Sequence, residues 1–206
     1  MPRRVTSAEF VISAAGTRDF PADGRPEIAM VGRSNVGKST LINVLAGKSI
    51  ARTSSSPGKT RLVNVYAIQP TSGTRFYLVD LPGYGHAGGG EKAREEFAAL
   101  TGQYFQSRLP AEGRTAASAP VLAGIVLAID ARHPGMASDQ EALRWASKQG
   151  LPFLLAATKA DKLKQSEKAR LPRACETAFG LRPIVVSAET GEGLDELWGL
   201  MRQWTA

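Results

Sequence analysis

The sequence predicts a three-layer α/β fold: a mostly parallel six-stranded sheet with one antiparallel edge strand and helices on both faces. Three observations predict it. Short apolar stretches alternate with stretches of helical periodicity along most of the chain. The runs 121–130 and 151–158 are continuously apolar, the pattern of strands buried on both faces of a parallel sheet. A glycine-rich turn at 32–37 joins a short buried strand to a helix, an arrangement that aims backbone N–H groups and a positive helix end at one spot.

In order, residues 1–26 form an N-terminal extension in which Phe10-Val11-Ile12 can add an edge strand, and Pro21, Gly24 and Pro26 mark the loop into a single domain over 27–206. Glu27-Ile28-Ala29-Met30-Val31 is the first core strand. Lys38 opens a helix with Leu41, Ile42 and Leu45 on one face. Residues 49–60 are polar, serine-rich and broken by Pro57-Gly58, as befits a mobile loop. Strands over 61–68 and 75–80 flank a Pro70-Thr71-Ser72-Gly73 turn. A second glycine-rich loop (81–90) leads to a helix over 91–108, and 110–119 reads as a linker. After the strand at 121–130 come a helix over 138–149, the strand at 151–158 and a helix over 166–179 interrupted near Pro172. A last strand over 182–187 and an amphipathic helix over 194–204 close the chain. Trp145, Trp198 and Trp204, at helical positions, read as packing residues.

Composition narrows the functional classes. The 206 residues are 43% hydrophobic and 22% charged, ordinary for a globular protein, and suffice for one full core. The net charge of +7 favours a polyanionic partner. Cys175 is the sole cysteine, so no internal disulfide forms. The N-terminus lacks a leader's apolar segment, and the run at 121–129 is about half the length of a membrane span. A cytoplasmic protein is expected.

The chemistry sits at the predicted C-terminal ends of the strands. Gly32-Arg33-Ser34-Asn35-Val36-Gly37-Lys38-Ser39, followed by Thr40, matches the phosphate-loop pattern G-x-x-x-x-G-K-[ST]; Lys38 would reach β- and γ-phosphates and Ser39 would ligate Mg²⁺. Asp80-Leu81-Pro82-Gly83 follows an apolar strand: Asp80 can hold Mg²⁺ through water and the Gly83 N–H can meet a γ-phosphate. Thr158-Lys159-Ala160-Asp161 ends another strand. A carboxylate there accepts from guanine N1 and N2, which adenine cannot supply, while the Lys159 stem packs on the base and its amine braces the phosphate loop. Ser187-Ala188-Glu189 ends the last strand, where a backbone N–H can meet guanine O6. Singly, Asp80 reads equally as a turn residue, Asp161 as a helix cap and Ser187 as a buried strand end. Their order and spacing together fit a guanine-nucleotide switch. A small-molecule kinase fits poorly, since Asp161 selects guanine and no acceptor site is evident.

These motifs, with the stretches 10–14, 51–61, 80–85, 130–134 and 158–163, closely resemble the EngB (YihA/YsxC) family of bacterial ribosome-assembly GTPases, of the TrmE-Era-EngA-EngB-septin group. The resemblance implies a phosphate-loop GTPase domain that binds GTP or GDP with Mg²⁺, acts in assembly of the large ribosomal subunit and is associated with cell division and septation. It implies that Thr60 closes on Mg²⁺ and γ-phosphate, with Gly58, Lys59, Arg61 and Leu62 along the nucleotide. The expected metal set is Ser39, Thr60 and Asp80, and the expected catalytic set Lys38, Thr60 and Gly83. Partners implied are a large-subunit precursor and ribosomal RNA, with Arg3, Arg4, Arg52, Lys59 and Arg61 as basic contacts; a monomer is expected.

Two departures from common GTPases carry consequences. Tyr84 stands where many place the glutamine that orients the attacking water, so intrinsic hydrolysis should be slow. Asn35 gives the loop a form found in related GTPases that use K⁺, and K⁺ stimulation is the corresponding hypothesis. Thr158 replaces the commoner asparagine and Glu189 the commoner lysine. His86 and His133 read as loop and turn residues. The alternative reading is a nucleotide-gated binding module for division or septum proteins with little turnover.

Overall fold

The sorting of strand residues into two cores organises the molecule. The computed structural model describes residues 4–52, 62–84, 90–108 and 122–206, with the side chains of the 90–108 helix described from residue 98 onward. Along β2 (Glu27–Gly32), Ile28 and Met30 face one cluster while Ala29 and Val31 face the other. The same period of two splits Ile125, Leu127 and Ile129 from Val126 in β5 (Leu122–Asp130). One cluster is closed by α1 (Lys38–Ala46) and α5 (Leu194–Gln203), through Leu41, Ile42, Leu197 and Met201. The other is closed by α2 (Gly90–Arg108), α3 (Ala137–Ser147) and α4 (Gln165–Phe179), through Tyr104, Phe105, Leu143, Leu171 and Cys175. Burial pushes the Cys175 thiol up to about 11, so it packs as an inert apolar group.

The remaining strands are β1 (Val5–Ala14), β3 (Val63–Pro70), β4 (Phe76–Asp80), β6 (Phe153–Thr158) and β7 (Ile184–Val185), and the sheet order is β1-β3-β4-β2-β5-β6-β7. The three-layer class holds, but among the described residues the sheet has seven strands rather than six. The additional strand is β1, which pairs antiparallel with β3 over its whole length and covers it. Consequently β3, antiparallel to both neighbours, stands one place in from the edge. Two register shifts, between Val5 and Ser7 and between Phe10 and Ile12, break the alternation of β1, so only its central residues carry a recognisable strand pattern. Arg4 ties this edge to α5 through an ion pair with Asp195.

Two other expectations need correction. Helix α4 runs unbroken through Pro172, because Leu171, Cys175 and Phe179 form a buried stripe that outweighs the one missing N–H. The last strand shrinks to Ile184–Val185: Pro183 offers no donor on one side, and Ser187 turns into a loop on the other. The tryptophans pack as expected, Trp145 against Phe105 at 4.5 Å between ring centroids and Trp198 against Phe76 at 6.0 Å. Trp204 lies on Gly124, where a Cβ would come within 2.2 Å of its ring.

Candidate functional site

Four parallel strands, β4, β2, β5 and β6, lie side by side, so the loops after them open along one edge of the sheet. The loop after β2 curls through two left-handed residues, Asn35 at φ 63° and Gly37 at φ 100°, before α1 begins at Lys38. Gly37 caps that helix with no side chain in the way, a conformation other residues adopt only under strain.

Lys38 is 8% exposed and donates to the Asp80 carboxylate and to Leu81 O at 2.7 Å. Ser39 Oγ stands 3.4 Å from Asp80 Oδ2. An ammonium, a hydroxyl and a strand-end carboxylate therefore converge where β2 and β4 end, the donor set of a site for a hard cation with phosphate. Among the described residues, no group of three or more His, Cys, Asp and Glu could bind a metal unaided. One carboxylate and one hydroxyl suit an ion that keeps waters and phosphate oxygens as its other ligands. Thr60, Gly58, Lys59 and Arg61 lie outside the described residues; Leu62 is exposed just before β3. His86 also lies outside them.

After β4, Leu81 and Pro82 are buried, and Gly83 and Tyr84 return to the phosphate loop. The Ser34 N–H donates to Tyr84 O at 3.1 Å and Ser34 Oγ donates to Gly83 O at 3.3 Å. A Cβ on Gly83 would meet Ser34 N at 2.7 Å.

At the other end, the Thr158 hydroxyl faces Ile129 O at 2.8 Å and Val36 O, bracing the phosphate loop against β5. Lys159 is left-handed at φ 60°, and its amine donates to Asn35 O and to Asp130 Oδ2 at 3.0 Å. This is the brace expected of it. Asp130 also receives Arg132 through Nε at 2.9 Å and Nη2 at 2.6 Å. Burial alone would raise the Asp130 pKa; the bonds from Arg132 and Lys159 prevail and hold it well below the usual range.

Ala160 is buried and its N–H donates to Val186 O at 3.2 Å, placing Asp161 beside Ser187. Ser187 Oγ donates to Asp161 Oδ1 at 2.8 Å and accepts from the N–H groups of Glu189 at 3.2 Å and Thr190 at 3.1 Å. The Ser187 hydrogen bond depresses the Asp161 pKa, keeping it an acceptor-only carboxylate. Ala188 is half-buried and Glu189 exposed. Sequence reading missed Asp130 and Asp139 as contributors. Asp130 had a usable signal, because like Asp80 it is a carboxylate ending an apolar strand.

A family model described as 50S ribosome-binding GTPase matches residues 27–159. The chain is 44% identical over 196 residues, 94% of each chain, to the probable GTP-binding protein EngB of Chlorobaculum tepidum. It is 40% identical over 206 residues to the probable GTP-binding protein EngB of Pelotomaculum thermopropionicum, covering 98% of this chain and 96% of that one. A crystal structure of a probable GTP-binding protein EngB superposes with a TM-score of 0.65 at 22% identity, over 87% of this chain and 98% of the other. Era, crystallised with MgGDPNP and a 16S ribosomal RNA segment, superposes at 0.69 and 23% identity, covering 88% of this chain and 57% of Era. At these identities the superpositions establish the fold.

Proposed function

Because the chain belongs to the EngB family of GTP-binding proteins and is a GTPase, we propose that it is a slow guanine-nucleotide switch that acts in large ribosomal subunit assembly. The observation that carries this reading is the pairing of two strand-end constellations on one sheet edge, Lys38-Ser39-Asp80 and Lys159-Asp161-Ser187. The first suits a polyphosphate and the second a guanine.

Residues 27–206 act as one GTPase domain, with 1–26 as an extension. Backbone groups of 32–40 and the Lys38 amine bind the phosphates. Ser39, Thr60 and Asp80 would hold Mg²⁺, which when bound would supply positive charge against the phosphates. In the structure Lys38 and Asp80 satisfy each other; a magnesium–phosphate ligand offers each a substitute of the same sign. Asp161 accepts the guanine N–H pair, the Lys159 stem packs on the base, and a backbone N–H of 187–189 meets O6. Of the last group, the Glu189 N–H is already engaged by Ser187 Oγ.

Lys38, Thr60 and Gly83 stabilise the transferring phosphate, and no side chain of the Tyr84 type orients the attacking water, so turnover is slow unaided. Asn35 would hold K⁺, which when bound would supply part of the missing charge. Equal turnover in K⁺ and Na⁺ at matched ionic strength would remove that element. The protein works in the cytoplasm as a monomer; among the described residues no helix is long and apolar enough to cross a membrane. Exposed Arg52, together with Arg3, Lys59 and Arg61, adds salt-sensitive contacts to ribosomal RNA phosphates. Arg4 is committed to Asp195 in the structure and is the weakest of that set.

Sedimentation with purified large ribosomal subunits tests the reading. Co-sedimentation should be stronger with a non-hydrolysable GTP analogue than with GDP and should weaken as salt rises. Absence of binding in every nucleotide state overturns the ribosomal role and directs the search to division proteins.

A further inference from the structure

Asp139 is buried in the first turn of α3, and none of the functional motifs contains it. Its Oδ1 accepts from Tyr84 Oη at 2.9 Å and from Arg33 Nε at 3.0 Å. One carboxylate oxygen thus joins α3 to the turn after β4 and to the phosphate loop, segments 55 and 106 residues away in sequence. Its Oδ2 is buried with no hydrogen-bond partner among the described residues. A buried carboxylate held by hydrogen bonds from two distant segments does not arise from packing preference, since an apolar residue of similar shape would serve packing better. Burial, reinforced by Asp139, pushes the Tyr84 phenol up, so it remains protonated and donates.

The two segments that Asp139 joins also touch directly. Tyr84 O and Gly83 O both accept from Ser34, and Gly83 approaches Ser34 too closely to admit a Cβ. The turn carrying Gly83 is therefore pinned to the phosphate loop along its backbone and, through Tyr84, to α3. Gly83 cannot relocate while the Tyr84–Asp139 bond persists without distorting the single residue between them.

We propose that Asp139 is a positioning residue: through Tyr84 and Arg33 it fixes where Gly83 stands against the phosphate loop, and so sets how strongly the site distinguishes GTP from GDP. This rests on the guanine-nucleotide reading above. A GDP molecule presents no γ-phosphate for the Gly83 N–H. Its phosphate contacts at 32–40 and its base contacts at 158–161 and 187–189 need no donor from the pinned turn. A GTP molecule uses that N–H, and a hydrogen bond to a charged group loses strength steeply once its donor is misplaced. The same anchor draws the Tyr84 side chain toward α3, which accounts for this side chain taking no part in orienting water.

The test compares wild type, Asp139→Leu (which removes the acceptor oxygen that an asparagine would keep), Tyr84→Phe and the double variant by equilibrium titration with fluorescent GDP and a non-hydrolysable GTP analogue in Mg²⁺. Each single variant should lose about tenfold in affinity for the analogue while its GDP affinity stays within about twofold. The double variant should lose little more than the weaker single variant, because both changes cut one bond. Tyr84→Phe removes a single hydroxyl and decides the matter should Asp139→Leu fail to fold. Parallel losses for both nucleotides in Tyr84→Phe, or an unchanged affinity for the analogue, would overturn the role of Asp139. Failure of the wild type to bind either guanine nucleotide would instead overturn the reading on which it rests.

Discussion

The two ends of the site are built from the same parts in opposite ways. At the phosphate end a buried lysine and a strand-end aspartate neutralise each other, Lys38 with Asp80. At the base end Lys159 also meets a strand-end aspartate, Asp130, yet the residue offered to a ligand is a different one, Asp161, oriented by Ser187. A ligand entering the phosphate end must exchange partners with both members of the ion pair. On the proposed reading, a base entering the other end would find its acceptor, Asp161, already ionised and held by Ser187, with the bracing pair left intact. The base end is preorganised and the phosphate end is exchangeable, which is the division of labour a nucleotide switch needs.

The largest effect should come from breaking the exchangeable end. Lys38→Ala removes the phosphate ligand and strands Asp80 as a 3%-exposed carboxylate. Nucleotide affinity should fall by roughly a hundredfold or more and turnover should vanish, as read by nucleotide titration and phosphate release. Next comes Asp161→Ala, which removes both acceptors for the guanine N–H pair. GDP affinity should drop by roughly a hundredfold with the weak affinity for ADP unchanged. A parallel loss of ADP binding would show that Asp161 supports the loop rather than reading the base.

Asp130→Asn sharpens the contrast by loosening the brace without touching the acceptor. Affinity for GDP and GTP should fall together, by about tenfold. The variant should also change acid sensitivity. The folded-state pKa of Asp130 is depressed, so its contribution to stability is present above the ordinary value of 3.8 and lost as pH falls through the folded-state value. Denaturant titrations across that range should show a shallower acid loss in the variant than in wild type. Glu27, buried against Tyr104 and Arg108, has the opposite sign. Burial raises its pKa above 4.5, so its protonated form is favoured in the fold and its contribution declines as pH rises through the raised value.

The smallest effect on function should follow Gly124→Ala, remote from both ends. The new methyl would collide with Trp204. Stability should drop by about 1–3 kcal/mol in denaturant titrations, with nucleotide affinity of the folded protein unchanged.

Much of this was readable from the chain because the core strands are apolar on both faces and each ends in a residue with distinctive chemistry. The phosphate loop, Asp80, Thr158 to Asp161 and Ser187 were legible on that ground, and the structure brings them to one sheet edge. Strand β1 was only partly legible: its register shifts spoil the alternation from which a half-buried strand is recognised. Pro172 misled because a local rule about proline was overridden by tertiary burial of Leu171 and Cys175. Asp139 was illegible for a different reason. In the first turn of an ordinary helix, it acquires meaning only from Tyr84 and Arg33, which the fold brings to it from distant segments.

The most direct test of the contrast between the two ends is amide hydrogen exchange with Mg²⁺, comparing GDP with a non-hydrolysable GTP analogue. The amides of 158–161 and 187–189 should be protected equally in both states, while those of Gly83 and Tyr84 gain protection only with the analogue. Equal protection of Gly83 and Tyr84 in both states, or a base end that differs between them, would contradict the division between a fixed base end and a switching phosphate end.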